Sequence, residues 1–216
     1  VNTTAEVKAI SDYCCTSANA VQIVNSIPED KEILFLPDMF LGAYAAKVTG
    51  RKIDIWPGEC HVHAGIRNQD LVDMQESYPE AEMIVHPECG CTTNLLYQSE
   101  NGSSAENGSG NGHSNGNGNS NIKFLSTGGM IKHAKSSKSK EFIIATETGM
   151  LHPLRKAHPD KKFIPARESA VCKYMKMITL PKVLQSLEEE IYEVKVPLDT
   201  ALKAKRSIDR MLEVTS

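Results

Sequence analysis

No apolar run in the 216 residues approaches the ~18 a membrane helix needs, and no signal-peptide pattern appears. Neither sign of charge dominates. The 24 Lys and Arg stand against 27 Asp and Glu, a formal charge of −3, with the basic residues scattered. That balance removes the electrostatic case for a nucleic-acid partner, and the missing spans remove the case for a membrane one. Six cysteines occur, at 14, 15, 60, 89, 91 and 172, and none forms a CxxC pair. Without a secretory signal they argue against a disulfide scaffold, and without paired spacing they argue against a zinc finger. Ligands for any metal centre must converge from distant loops.

What is present is a recurring event. Ile55-Trp56 ends at Pro57-Gly58, and Cys60, His61 and His63 follow within five residues of that break. Met83-Ile84-Val85 runs into His86-Pro87-Glu88-Cys89, and Phe142-Ile143-Ile144-Ala145 into Thr146-Glu147-Thr148-Gly149. Apolar strands emptying into loops of ligand and acid-base groups are the ordinary layout of an α/β site, so these strand ends are predicted to face one cavity.

The rest of the chain alternates in the same way. Thr3 and Glu6 fit a capping box for a helix toward Ile10. Cys14 to Ser17 reads as a strand end, and a helix follows from Ser17. Strands are predicted over Ile33–Leu36 and Ile53–Trp56, with a helix over Leu41–Val48 stopped by Gly50. Leu71, Met74 and Tyr78 have helical spacing. Ser126-Thr127-Gly128-Gly129 opens a helix and forms either an anion cradle or a plain cap. A helix is expected over Leu151–Ala157, a strand over Phe163–Pro165, and a helix from Thr179 to Glu189 with Pro181 in its first turn. An extended segment over 191–196 and an amphipathic helix carrying Ala201, Ala204, Ile208 and Met211 complete the chain. Helix and strand in alternation with short connections imply α/β architecture with a parallel sheet. Between Ser99 and Asn121 the composition collapses to Asn, Gly and Ser, which predicts a disordered surface insertion. The first residue is valine, and a strand end and helix start already under way there predict a fragment or processed product.

Residue types alone leave three readings open. His61 and His63, alternating in an extended loop, with His86 would make a zinc-dependent α/β hydrolase. Cys60 and Cys172 would instead hold an iron–sulfur cluster, with His63, His86 and Glu88 handling an anionic substrate. A degenerate binding subunit, with histidines that merely satisfy loop hydrogen bonds, is the third.

Seven segments appear in order from the first residue to the region before the last helices. They are Val1-Asn2-Thr3, Cys15-Thr16-Ser17-Ala18-Asn19-Ala20-Val21, Cys60-His61-Val62-His63, His86-Pro87-Glu88-Cys89, Ser126-Thr127-Gly128, Thr146-Glu147-Thr148-Gly149 and Ala170-Val171-Cys172-Lys173-Tyr174-Met175-Lys176. Together they resemble the quinolinate synthase family, iron–sulfur enzymes of bacterial NAD biosynthesis. The resemblance covers the chain except for the Asn/Gly/Ser insertion.

The resemblance implies three-layer αβα units with short parallel sheets, related by pseudo-threefold symmetry, the N-terminal unit being truncated here. It divides the chain into a truncated αβα unit over 1–60, a second unit over 61–150 with the insertion at about 99–121, and a C-terminal segment over 151–216 returning to the N-terminal unit. It implies condensation of iminoaspartate with dihydroxyacetone phosphate to quinolinate, a cytoplasmic location, and a functional link to an aspartate-oxidising enzyme. By position, Cys60 and Cys172 match two of three cysteines that hold a [4Fe-4S] cluster, and the third ligand is absent from this chain. Glu88 and His86 match catalytic positions. Asn2, Ser17, His63, His86, Glu88, Ser126 and Thr127 match substrate-binding ones. His61, Cys14, Cys15, Cys89 and Cys91 match no required position, and the chain alone is expected to be inactive.

Overall fold

The computed structural model describes residues 1–92 and 122–215, and the insertion predicted at 99–121 lies outside them. Two compact units emerge: Thr16–Ala170, and Val1–Cys15 together with Val171–Ser216.

Helix α1 (Ala5–Ile10) belongs to the second of these. Within Thr16–Ala170 the short apolar runs pair as parallel strands, giving α/β architecture. Helix α2 (Ala20–Ser26) leads to β1 (Leu34–Phe35), α3 (Met39–Thr49) and β2 (Asp54–Ile55). Strands β1 and β2 pair in parallel, Phe35 opposite Ile55, over a small core of Val24, Ile33 and Ala45. Asp38 caps α3, and Gly50 ends it at φ +67, the left-handed geometry that favours glycine. Gly58 is required for a different reason. A Cβ there would sit 2.3 Å from the Pro37 carbonyl oxygen, so only glycine lets the Pro-Gly break pass the end of β1.

After α4 (His61–Ala64) and α5 (Asn68–Ser77) comes a four-stranded parallel sheet, built from β3 (Glu82–Val85), β4 (Ile122–Phe124), β5 (Glu141–Ala145) and β6 (Lys162–Pro165) in the order β4-β3-β5-β6. Every residue of β3 is buried, as expected of a central parallel strand covered on both faces. Helices α6 (Thr127–Ser136) and α7 (Leu151–Ala157) supply Met130, Ala134, Leu151 and Leu154 to a core with Ile84, Phe142, Ile144 and Phe163. Each large apolar side chain buried in this way contributes roughly 1.5–3 kcal/mol. Val85 aligns with both Phe124 and Ala145, so β4, β3 and β5 end level with one another. His86, Leu125 and Thr146 therefore leave the sheet along one edge.

The second unit packs α1 against α9 (Leu198–Thr215), with α8 (Leu180–Glu188) between them in sequence. Buried Ser207 of α9 donates its hydroxyl to the carbonyls of Lys8 and Ala204, and its own carbonyl accepts from Cys14 N–H at 2.9 Å. That last bond explains a departure from expectation: residues 14–17 join no strand among the described residues, because the Cys14 amide is already taken by a helix. Thr4, not Thr3, caps α1, accepting from Val7 N–H. Residues 191–196 likewise form no strand. Among the described residues no helix is long and apolar enough to cross a membrane.

Candidate active site

His86 is the first residue beyond β3. Its amide extends the ladder by donating to the Ala145 carbonyl at 3.0 Å, and its own carbonyl accepts from the Thr92 hydroxyl and the Cys89 amide. The His86 backbone is thus held at both its amide and its carbonyl. The ring Nδ1 accepts the Glu88 amide proton at 3.3 Å, leaving Nε2 to donate to the Ser17 hydroxyl at 3.2 Å. These partners assign a neutral imidazole protonated on Nε2. Burial, reinforced by the nearby His63 charge, pushes His86 down to about 4, in agreement.

His63 comes from α4. The Cys60–His63 stretch is a helical turn, not the extended loop expected from its alternation. On a helix, side chains two residues apart face different directions, so His61 is exposed while His63 turns inward. The His63 and His86 rings stack at 4.6 Å with planes 8° apart. His63 Nε2 lies 2.9 Å from the Thr146 hydroxyl, and Nδ1 lies 3.3 Å from Glu88 Oε2. The Nδ1 contact with Glu88 falls short of full hydrogen-bond geometry, and the Cys60 thiol is the other group drawing on this ring. Burial works against a proton on His63, yet attraction to the Cys60 thiol and then to Glu88 outweighs it and raises the ring to about 9.

Burial alone would raise Glu88, but the two histidines overcome it and hold the carboxyl below its ordinary value. At neutral pH the cluster is a carboxylate, an imidazolium and a neutral imidazole. Two stacked rings with opposed proton affinities are suited to moving protons and to holding an anion. Ligand atoms of His63, His86 and Glu88 also lie within 4.8 Å of one another, close enough to hold a cation, and His61 is not in that group.

No cysteine of the six is in a disulfide. Hydrogen bonding toward His63 lowers the half-buried Cys60 thiol, favouring the thiolate that iron requires. Fully buried Cys89 is driven the opposite way, by its hydrogen bond to Cys91 and then by burial, and suits a structural role. The donor chemistry at Cys60 therefore fits an iron–sulfur centre. At the same sheet edge Ser126 caps α6, its hydroxyl accepting from Gly129 N–H at 3.3 Å, with Thr127 exposed beside it. Asn2 and Cys172 belong to the other unit.

The family model of quinolinate synthetase A proteins (NadA) matches residues 1–213. The chain belongs to this family. It is 48% identical over 214 residues to a quinolinate synthase of Thermus thermophilus, 50% over 214 to one of Pyrobaculum aerophilum, and 47% over 215 to one of Mycobacterium tuberculosis. Each match covers 99% of this chain but 63%, 64% and 58% of the respective relative. The chain thus spans about three-fifths of the length of these family members.

Ser17, Cys60, His63, His86, Glu88, Ser126 and Thr127 all fall in the Thr16–Ala170 unit, and His63, His86, Glu88 and Ser17 meet directly. Two buried contributors had no role assigned from sequence, Thr146 being marked only as a strand end and Asp38 not at all as a site residue. Thr146 holds His63, and Asp38 bonds the Cys60 amide. Thr146 follows β5 as His86 follows β3, and that place is what marked it in the sequence. For Asp38 the only signal was a carboxylate directly after a strand.

Proposed function

We propose that the protein carrying this chain is a quinolinate synthase, condensing iminoaspartate with dihydroxyacetone phosphate to quinolinate and releasing inorganic phosphate and water. The stacked His63–His86 pair joined to Glu88, in a chain of this family, carries the reading. Cys60 and Cys172, with a third cysteine, would hold a [4Fe-4S] cluster. When bound, that cluster supplies a Lewis-acidic iron with an open position. Everything else falls to the protein's own groups. The His63 imidazolium attracts a substrate carboxylate or phosphate. Glu88, ionised beside it, accepts a proton from carbon or nitrogen and returns it during isomerisation and ring closure. Neutral His86, fixed through Ser17, stays available as a hydrogen-bonding partner without adding charge. Ser126 and Thr127 offer hydroxyls at the N-terminus of α6, where anions are favoured, and Asn2 contributes a further polar contact.

The same reading includes αβα units in pseudo-threefold array with boundaries near 60 and 150, a cytoplasmic setting, a functional link to an aspartate-oxidising enzyme, and inactivity of this chain with only two of three cluster thiolates. The full natural chain, purified and reconstituted without oxygen, is expected to carry about four iron and four sulfide and to form quinolinate. Cys60→Ser and Cys172→Ser should each lose the iron. Stoichiometric zinc that survives both substitutions would overturn this reading in favour of a zinc-dependent α/β hydrolase using His61, His63 and His86. Substrate binding without turnover would mark a degenerate binding subunit.

A further inference from the structure

Asp38 is the residue after Pro37 at the end of β1, only 7% exposed, and its two carboxylate oxygens serve different segments. Oδ1 accepts Leu41 N–H at 2.8 Å, the cap of α3, whereas Oδ2 accepts Cys60 N–H at 3.3 Å. Around this side chain the backbone is locked as well. Asp38 and Gly58 form a parallel bridge, and Met39 N–H donates to the Gly58 carbonyl at 2.7 Å. Gly58 in turn can pass Pro37 only because it lacks a Cβ. Cys60 lies two residues beyond this lock, and its thiol meets His63 one helical turn on. A buried carboxylate spanning a helix N-terminus and the amide of a thiolate residue fixes the direction from which that thiolate is presented.

We propose that Asp38 is a positioning residue: by joining the N-terminus of α3 to the Cys60 amide, it presents the Cys60 sulfur to iron and resists release of the cluster. This rests on the quinolinate synthase reading for the identity of the bound group, but not for the existence of the strut. Outer partners of metal ligands change metal retention on the order of 10-fold to 100-fold when removed.

Asp38→Ser separates the two functions. Serine still caps a helix through one oxygen, yet has no second acceptor for Cys60 N–H. In the full natural chain with its cluster reconstituted, D38S is expected to lose iron to a chelator on the order of 10-fold faster than wild type and to shift the cluster's midpoint potential. Amide exchange at Cys60 should accelerate while Leu41 stays protected. Should serine fail to sustain the fold, D38N keeps one oxygen for Leu41 and turns an amide NH2 toward Cys60, and the same changes are expected. Wild-type iron retention and potential in a folded D38S or D38N protein would overturn the proposal. A wild-type chain that takes up no cluster refutes the functional reading instead, and Cys60 amide exchange then decides whether the strut exists.

Discussion

The four-stranded sheet carries a largely buried histidine–glutamate pair at each end, with only Glu82 fully enclosed, and the two pairs are built oppositely. At the start of β3, Glu82 is 4% exposed at its side chain, accepts from His133 Nε2 at 2.5 Å and from the Ser137 hydroxyl at 2.6 Å, and has Lys123 at 4.0 Å. Both of its oxygens are satisfied, and the bonds pin the C-terminal part of α6 to the strand. Beyond the other end of β3, Glu88 meets His63 at 3.3 Å without full hydrogen-bond geometry, and His63 Nδ1 stays buried and unsatisfied. An orphaned buried polar atom costs stability unless something else completes it. The satisfied pair is a fastening. The other pair is left short of full hydrogen bonding.

Glutamine at each position breaks the comparison most sharply. In the full natural chain, on the proposed reading, Glu88→Gln is expected to keep the cluster and the fold but to lower turnover by about 10²–10⁴-fold, the usual contribution of a positioned proton carrier. Steady-state assays beside iron analysis would check this, and wild-type activity would remove the acid-base role. Glu82→Gln should do the reverse. Turning an amide NH2 toward His133 or Ser137 leaves a buried bond unmade, destabilising the fold by about 2 kcal/mol in denaturant titration, while the folded fraction retains its turnover.

Much of the frame was legible in sequence, for physical reasons. The buried strands of the main sheet announce themselves as apolar runs, and Gly50, Ser126 and Pro181 punctuate their helices as expected. Strand ends correctly pointed to His86 and Thr146, because parallel strands in register finish on one edge. What stayed hidden were contacts between distant residues. His133 and Glu82 lie 51 positions apart, so nothing local distinguishes that pair from His63 and Glu88. Asp38 stands just past the predicted strand Ile33–Leu36, and a carboxylate that caps one segment gives no local sign of bonding another. The Cys60 turn also defeated the pattern. Its alternation suits an extended chain, but the Cys60 carbonyl accepts from Ala64 N–H at 2.8 Å and winds it into helix.

Protonation sharpens the contrast at the site end itself. In the metal-free protein, NMR titration should find His63 losing its proton near 9 and His86 gaining one only near 4, each displaced from the ordinary 6.5. The signs oppose. Raised His63 contributes stability that is fully present below 6.5 and lost as pH climbs through about 9. Depressed His86 contributes stability present above 6.5 and lost as pH falls through about 4. The pair's joint contribution therefore peaks near 6.5 and declines on both sides. Two histidines that titrate together near their ordinary value would mean that the stacked, Glu88-linked arrangement does not persist in solution.

The smallest expected effect is at His61. His61 is exposed and lies outside the group of converging ligand atoms, so in the full natural chain His61→Ala should leave iron content and turnover unchanged. A zinc site built on His61, His63 and His86 demands the opposite, since removing one of three ligands releases the metal. The variant thus separates sequence proximity from spatial convergence. His61 and His63 are two residues apart yet face different ways, whereas His63 and His86 are 23 positions apart and stack ring on ring.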